Sequence, residues 1–509
     1  MSAELLSGGL PDALYSAVCL DIDHALGYEN TEERYAACRS LKAGLLKKLE
    51  DFPMPEADTR AVQKFFASNF RCKEWSLALN TSADEELFGT FKDEVHKIMD
   101  RPFTYYDILD QADFGNGANL GVPSISKYAK LFGANLTCTS ETMYILYKSY
   151  VGSSVRLSDA ESFRSAHCSV DVCSASKTIC VPKYRNISRT ICVEPNLNMY
   201  YQRGIGNLID TSLLKVGYVN SVTPTFNRMR AKHGSLTQEW STIDLESASD
   251  SISLQLVKTV CPNWLTRWLE LTRCPRTEVD GVEHELFMVS SMGNGYTFSL
   301  QTLLFYAMAR AALRLSNQSP SLCSVFGDDI VVRTGMPERL TRRLLDLCGF
   351  VVNDTKSFNS GPFRESCGHD YYNGHNIRSA YVKTLIGCSA LTIAINRLNA
   401  WTVRTGIPLP SAIRILFGSL KRTYKRTTRD IFVPLHESDD AGVRIPRAYR
   451  QCRIIDKNFS DHYWSWVPVD RGIEVAEREG EEDLWIYNTK ILYNPDGLLS
   501  SFLRGQLRG

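Results

Sequence analysis

The stretch from Ser324 to Val332, SVFGDDIVV, decides the expected fold of this chain. Apolar residues flank a Gly-Asp-Asp triplet on both sides, which predicts two short strands joined by a tight turn. Gly327 supplies the backbone freedom for such a turn, so Asp328 and Asp329 can face one ligand. Taken alone, the triplet has an equal reading as a solvated acidic turn, since it arises by chance in roughly one chain in ten of this length.

The segments around this hairpin predict an α+β layer, with helices on one face of a sheet. The sequence WSTIDL indicates a short strand that ends at Asp244. A helix is expected from the turn SSMGNG to about Leu315. Another has Pro337 in its first turn, is closed by Gly349 and leads into a strand over 350–353.

The remaining regions are expected to join this layer in one integrated enzyme of two or three subdomains. The first 170 residues look mostly helical, broken by a Gly/Asn-rich loop from Phe114 to Val122. From about Pro362 the chain mixes a helix over Ser389 to Arg404 with aromatic-rich, β-prone segments such as DHYWSWVPV.

Composition indicates a globular protein that needs no membrane, with 44% hydrophobic and 23% charged residues. The longest apolar stretch, 302–315, is too short for a bilayer span and contains Arg310 and Arg314, so a buried helix is expected. The first residues lack a secretory signal, which predicts a cytosolic protein. Because the net charge is only +1, any polyanion must be bound by local basic clusters, at 177–189 and 421–429.

Motifs of several other enzyme classes are missing from the sequence. The fifteen cysteines form no Cys-x-x-Cys pair and are expected to be reduced structural thiols. The nine histidines match no zinc-hydrolase spacing, and there is no P-loop. Any chemistry on a triphosphate must therefore depend on a metal ion.

Three carboxylates form the candidate catalytic centre. If the strand that ends at Asp244 lies beside the hairpin, its carboxylate converges with those of Asp328 and Asp329. Hard oxygen ligands of this kind suit Mg²⁺ or Mn²⁺. Two such ions ~3.5–4 Å apart clamp the attacking and leaving oxygens of a phosphoryl transfer. The pattern thus predicts polymerase chemistry.

Two further segments are candidates for holding the sugar of a nucleotide. Asp250 follows Asp244 by six residues and can accept a hydrogen bond from a 2′-hydroxyl, although it can also cap the next helix. The flexible loop that begins at Ser291 leads into a helix N-terminus, and its Asn294 can act with Asp250 on the ribose. A plain helix-capping turn is an equal interpretation of this loop.

Basic residues supply candidates for the phosphates. Lys183, Arg185 and Arg189 can neutralise an incoming triphosphate or the departing pyrophosphate. Lys356 is a candidate general acid for that leaving group, with an ordinary surface role as the alternative.

The order of the motifs TIDLESASDS, SSMGNGYTF, FGDD, NDTKSF and GPFRESCG resembles the replicase catalytic subunits of the single-stranded RNA bacteriophages, the leviviruses. The resemblance covers most of the chain and is strongest from about Lys177 to Trp401. It implies an α+β, right-hand polymerase. Its expected regions are an N-terminal and fingers region at 1–229 with a basic finger at 177–200, a palm at 230–361, and a thumb with the C-terminal region at 362–509.

The resemblance also implies roles for the candidate residues. Asp244, Asp328 and Asp329 would bind two Mg²⁺ ions, with Mn²⁺ as a substitute. Sugar contacts would come from Asp250, Ser291 and Asn294, and the basic finger would lie over the triphosphate. Phe326 stands where such polymerases usually have Tyr, and Arg185 stands where a neutral residue is expected.

The implied function is RNA-directed RNA synthesis from ribonucleoside triphosphates on a phage RNA template, in the cytoplasm of an infected bacterium. The implied host partners are elongation factors Tu and Ts and the largest ribosomal small-subunit protein. A reverse transcriptase is the nearest rival, but Asp250 and Asn294 favour a 2′-hydroxyl. A non-catalytic RNA-binding subunit would need a larger basic surface than a net charge of +1 indicates.

Overall fold

The computed structural model describes residues 9–27, 31–51, 54–115, 117–122, 130, 134–423, 432–446, 485–487 and 490–492. The described α-helices are α1 Gly9–Leu26, α2 Glu32–Gly44, α3 Ala57–Glu74, α4 Ser82–Ile98, α5 Tyr105–Asp110, α6 Glu141–Gly152, α7 Val155–His167, α8 Asn196–Lys215, α9 Thr223–Thr237, α10 Leu254–Val260, α11 Asn263–Thr272, α12 Thr297–Leu315, α13 Met336–Leu347, α14 Cys388–Thr405 and α15 Pro410–Thr423. The described strands are β1 Leu136–Cys138, β2 Val170–Val172, β3 Ser176–Tyr184, β4 Ile187–Val193, β5 Trp240–Ile243, β6 Leu245–Glu246, β7 Arg276–Val279, β8 Val282–Glu285, β9 Cys323–Phe326, β10 Asp329–Arg333, β11 Val351–Val352, β12 Phe363–Ser366, β13 His369–Tyr372, β14 His375–Asn376, β15 Phe432–Val433, β16 Val443–Arg444, β17 Trp485–Tyr487 and β18 Lys490–Leu492. The expected α+β class is confirmed.

Two compact units divide these elements between them. The first unit comprises Met1–Arg60, Pro182–Ser188 and Gly368–Val469. The second comprises Ala61–Val181, Arg189–Cys367 and Asp470–Gly509. The division into three regions at 229/230 and 361/362 stays a prediction.

A central sheet in the second unit carries the motif on which the fold was predicted. Its strand order is β5-β10-β9, and both pairings are antiparallel. Ile330 on β10 is paired with Ile243 on one side and with Val325 on the other, and all three are buried. The strand that leads to Asp244 is therefore the direct neighbour of the Gly-Asp-Asp hairpin, which meets the condition for the three carboxylates to converge.

Helix α12 supports this sheet and is buried around almost its whole circumference. It packs against α4, α8 and α13. Its Arg310 lies in the interior because Glu94 of α4 accepts a hydrogen bond from Nε at 2.8 Å, in a pair that is almost fully buried on both sides. The expected buried helix is confirmed, and its charge has a specific partner.

The local signals after the hairpin are also confirmed. Pro337 occupies the first turn of α13, and Gly349 follows the helix at a φ of +80°. A Cβ atom at Gly349 would come within 2.6 Å of the Trp75 ring, so this position requires glycine for space as well as for conformation. The strand expected at 350–353 is the short β11, which pairs with β6.

The outer regions agree with the sequence where the structure describes them. The first 170 residues are mainly helical, and α14 is the helix expected at Ser389 to Arg404. DHYWSWVPV lies outside the described residues, as does most of the basic cluster at 421–429. No disulfide links the cysteines of the described ranges. Within the same ranges, no helix has the length and apolar character to cross a bilayer.

Candidate active site

The turn of the hairpin is fixed from behind by α12. Gly327 adopts a φ of +60°, and its N–H donates to the Thr302 hydroxyl at 3.1 Å. A Cβ atom at this glycine would lie 2.7 Å from the ring of Phe298. That ring meets Phe326 edge to face, with the centroids 4.8 Å apart, so Phe326 is held by ring packing where a Tyr was expected.

Asp329 and Asp244 lie beside each other at one end of the central sheet. Ile330 is paired with Ile243 in an antiparallel register. One residue beyond this pair, the same register places Asp329 opposite Asp244. Side chains directly opposite on antiparallel strands have Cβ atoms about 4.5–5.5 Å apart. Asp328 occupies the exposed turn between the two hairpin strands. The sequence-predicted carboxylates are thus gathered in one small region.

Each of the two sheet carboxylates is oriented by donors from later in the chain. Asp329 Oδ1 accepts from the Ser366 hydroxyl at 3.3 Å and from the backbone N–H of Cys367 at 3.2 Å. Asp244 Oδ2 accepts from Asn353 Nδ2 at 3.0 Å. Sequence reasoning assigned no role to these three donors, although NDTKSF and GPFRESCG were among the motifs of the resemblance.

The carboxylates share an excess of negative charge. Burial, followed by the charge of Asp328, raises the pKa of Asp329 to about 6. Burial also raises the pKa of Asp244, with contributions in the same direction from Asp328 and from Glu365, a residue that sequence reasoning missed. Lys356 acts in the opposite direction on Asp244. A divalent cation at this position would relieve the repulsion.

These residues fit a hard divalent cation by chemical type and by charge. In the described ranges, however, no three or more His, Cys, Asp or Glu side chains are already arranged to hold one ion. The carboxylates instead accept hydrogen bonds, Asp329 from Ser366 and Cys367 and Asp244 from Asn353.

Lys356 lies next to the carboxylates. Its Nζ is 3.7 Å from Asp244 Oδ2, and the side chain is 40% exposed. The partial exposure of this lysine also agrees with the alternative surface role. Its role as a general acid stays a prediction.

The two segments predicted to hold the sugar meet each other. Asp250 Oδ1 accepts from the backbone N–H of Met292 at 3.3 Å. The next helix, α10, is capped instead by Ser253, whose hydroxyl accepts from the N–H of Gln255, so the alternative role of Asp250 as its N-cap is wrong. Asp250 is thereby linked to the loop that contains Ser291 and Asn294.

The loop from Ser291 to Tyr296, here called the ribose loop, has a closely fitted backbone. Gly293 has a φ of +110°, and a Cβ atom there would clash with the carbonyl oxygen of Cys192 on β4. Asn294 Oδ1 accepts from the Tyr296 N–H at 3.2 Å at the start of α12. This contact supports the interpretation of the loop as a helix-capping turn. Both Ser291 and Asn294 are buried.

Gln301 connects the segment that contains Asp250 to the hairpin. Ser249, the neighbour of Asp250, donates through its hydroxyl to Gln301 Oε1 at 3.2 Å. Nε2 of the same Gln301 would lie 3.4 Å from a Cβ atom at Gly327. The sugar and metal candidates therefore belong to one connected site.

The basic candidates are divided between the two units. Arg189 is exposed on β4, the strand whose Cys192 N–H donates to the Met292 carbonyl at 2.8 Å. Lys183 and Arg185 are exposed residues of the first unit. There Arg185 exchanges backbone hydrogen bonds with Lys47 and Met54, at 3.0 and 2.9 Å. The structure thus places Arg189 in the same unit as the ribose loop, on the strand that contacts this loop through Cys192, and the other two in the first unit.

Comparison with known proteins identifies relatives along nearly the whole chain. The profile of the RNA replicase beta-chain family matches residues 9–492. The RNA-directed RNA polymerase subunit beta of Enterobacteria phage SP is 29% identical, with 91% of this chain and 80% of the relative aligned. The corresponding subunit of Escherichia virus Qbeta is 30% identical over 77% of this chain and 66% of the relative. The RNA-directed RNA polymerase beta chain of Escherichia phage MS2 is 33% identical over 60% of this chain and 56% of the relative. The chain therefore belongs to the RNA replicase beta-chain family, and it is an enzyme of the RNA-directed RNA polymerase class.

Proposed function

We propose that this chain copies an RNA template by adding ribonucleotides to the 3′ end of a growing RNA, with two Mg²⁺ ions held by Asp244, Asp328 and Asp329. The observation that carries the proposal is the strand register, which brings Asp329 beside Asp244 at the end of the sheet where Asp328 forms the turn. The raised pKa of Asp329 supports it, because a carboxylate in an excess of negative charge is poised to exchange a proton for a cation. Mn²⁺ would substitute, since it accepts the same oxygen ligands.

Each group of residues has a separate task in this proposal. The bound ions supply the positive charge that stabilises the attacking and leaving oxygens. The three carboxylates bind and orient those ions, while Lys183, Arg185 and Arg189 compensate the charge of the triphosphate. Lys356, held 3.7 Å from Asp244, would give a proton to the departing pyrophosphate.

Selection of ribonucleotides is assigned to Asp250 together with Ser291 and Asn294. Because Asn294 Oδ1 is occupied by the Tyr296 N–H, its Nδ2 would face the sugar. The Asp250 carboxylate would accept from the 2′-hydroxyl, the group that a deoxyribonucleotide lacks. A bound deoxyribonucleotide would leave the Asp250 carboxylate without this hydrogen bond, and the site would therefore discriminate strongly against it.

Replacing Asp250 with Ala is therefore expected to lower the preference for ribo- over deoxyribonucleotides. Loss of one hydrogen bond to a charged group corresponds to a fall of about tenfold to hundredfold in the ratio of the two kcat/KM values. Single-nucleotide incorporation on an RNA template measures both values. Glu246→Gln is the matched control, since this carboxylate precedes the same turn, is 44% exposed and pairs with Lys64. An unchanged ratio in Asp250→Ala would contradict the assignment.

Binding of Mg²⁺ is expected to weaken as the pH falls through about 6. The raised pKa means that folding favours the protonated form of Asp329, so the metal-free protein loses stability as pH rises from the ordinary aspartate value to about 6. Mg²⁺ must displace that proton, and its stabilising effect is present above about 6 and lost below. The rise in melting temperature caused by Mg²⁺ should therefore exceed roughly 2 °C at pH 7.5 and shrink at pH 5.5. Asp329→Asn should abolish the difference between the two pH values.

The substrates distinguish this proposal from its nearest rival. Purified protein with Mg²⁺ and an RNA template should incorporate ribonucleotides only. Incorporation of deoxyribonucleotides at a comparable rate would favour a reverse transcriptase.

The proposal extends to partners and location. By the resemblance, the chain works in the cytoplasm of an infected bacterium with elongation factors Tu and Ts and the largest ribosomal small-subunit protein. Proteins that co-purify with the chain from bacteria identify such partners directly. If the isolated chain is inert, addition of bacterial lysate should restore RNA synthesis.

A further inference from the structure

Arg364, on β12, is a fully buried arginine whose guanidinium donates hydrogen bonds to backbone carbonyls. Its Nε donates to the carbonyl of Trp240 at 2.6 Å. Its Nη1 donates to the carbonyls of Ser360, Gly361 and Phe363, at 3.1, 2.9 and 2.6 Å. Burial lowers its pKa to about 10, which leaves the guanidinium charged at neutral pH.

Burying a charge without a carboxylate beside it is costly, so a simple packing role would be served better by an apolar side chain. A guanidinium has five N–H donors in a rigid planar fork, and it can tie several carbonyls in a fixed geometry. Lysine has no such fork, and methionine has no donor. The chemistry of Arg364 is therefore suited to fixing the distance between two backbone segments.

The two segments that Arg364 joins are those that control the catalytic carboxylates. Trp240 begins β5, the strand that leads directly to Asp244. Two and three residues after Arg364, Ser366 and Cys367 donate to Asp329 Oδ1. A shift of Arg364 would therefore change the positions of both Asp244 and Asp329.

A neighbouring contact strengthens the same connection. Thr242, in the middle of β5, exchanges two backbone hydrogen bonds with Phe358, at 2.9 and 2.8 Å. The segment from Phe358 to Cys367 is consequently attached to β5 at one point by its backbone and at another by the guanidinium. Ser366 also accepts a contact from Asn227 of α9, at 3.3 Å, so the end of the segment is held on a second side.

We propose that Arg364 is a positioning residue that sets the separation of Asp244 and Asp329 and so determines how well the site binds its divalent ions. The inference rests on the proposed function of these carboxylates and assigns no contact between Arg364 and substrate. It predicts that loss of the guanidinium changes metal affinity and turnover, while the KM for ribonucleotides, governed by the ribose loop, stays the same.

The test measures Mn²⁺ binding to the full chain without RNA, by electron paramagnetic resonance, and RNA synthesis separately. In Arg364→Met and Arg364→Lys, the Mn²⁺ dissociation constant is expected to rise about tenfold, as for loss of groups that orient metal ligands. The kcat is expected to fall about 10- to 100-fold with an unchanged nucleotide KM. Arg333→Met is the matched control, because Arg333 on β10 is paired with Trp240, the residue that Arg364 contacts, and forms an ion pair with Glu239 at 3.0 Å.

The outcomes separate the inference from the function on which it rests. Wild-type Mn²⁺ affinity in folded Arg364 variants would overturn the inference, and full activity in Asp329→Asn would overturn the proposed metal site itself. If Arg364→Met does not fold, Ser366→Ala tests the same connection, since it removes the hydroxyl contact to Asp329 and keeps the guanidinium. Unchanged Mn²⁺ affinity in Ser366→Ala would then overturn the inference.

Discussion

RNA synthesis is expected to fall by about 10³-fold or more when Asp328 or Asp329 is replaced by Asn. The substitution keeps the size of the side chain and one oxygen, but it removes the negative charge that would hold a divalent cation under the proposed function. Both residues belong to a hairpin that Thr302 and Phe298 fix from behind, so the backbone should keep its position in the variants. The measurement is ribonucleotide incorporation on an RNA template with Mg²⁺, alongside circular dichroism to verify folding.

Asp354→Asn is the matched control for this experiment. Asp354 follows Asn353, the donor to Asp244, and pairs with Arg342 at 3.1 Å, but its side chain is 87% exposed. The same change of charge close to the site should leave RNA synthesis nearly unchanged. Full activity in Asp328→Asn would show that the hairpin does not hold the catalytic ions.

Replacing Glu94 with Ala should destabilise the second unit by about 3–5 kcal/mol, because it leaves a buried arginine without its countercharge. Glu94 accepts from Arg310 at 2.8 Å and lies 3.6 Å from Arg314, and the Glu94 side chain is 3% exposed. Since α12 also carries Thr302, the loss should reach the hairpin. Urea unfolding measured with and without the substitution gives the change in free energy.

The neighbouring Asp93→Asn serves as the control, since Asp93 is exposed on the same helix. A double variant, Glu94→Leu with Arg310→Met, should recover much of the lost stability, because apolar side chains often replace a buried ion pair at little cost. A change below about 1 kcal/mol in Glu94→Ala would mean that water reaches Arg310 and solvates it.

Local signals in the sequence were sufficient for the hairpin and its surroundings. Gly327 needs a positive φ, Pro337 suits a first helical turn, and Gly349 closes the helix at φ +80°, each for a reason confined to a few residues. The adjacency of β5 and β10 entered the sequence analysis only as a condition, because no local pattern specifies which strands pair.

Contacts between distant residues were beyond such reasoning. Ser366 and Cys367 reach Asp329 across 37 and 38 residues, and Glu94 reaches Arg310 across 216. Nothing in the local pattern specifies which buried donor meets which acceptor. Even at short range, the sequence did not specify which residue caps helix α10. Ser253 caps it, three residues after Asp250, and the Asp250 carboxylate accepts from the Met292 N–H instead.

The attachments of β5 have a consequence for the order in which the protein forms during its synthesis. This strand pairs with Ile330 to Arg333, exchanges hydrogen bonds with Phe358 and accepts a hydrogen bond from Arg364. All of these partners follow it in the chain, and non-local strand pairing is slow because a long loop must close first. Asp244 thus leaves the ribosome long before the segments that orient it. A nascent chain that ends before residue 364 lacks part of that framework, so catalytic competence is a late event in translation.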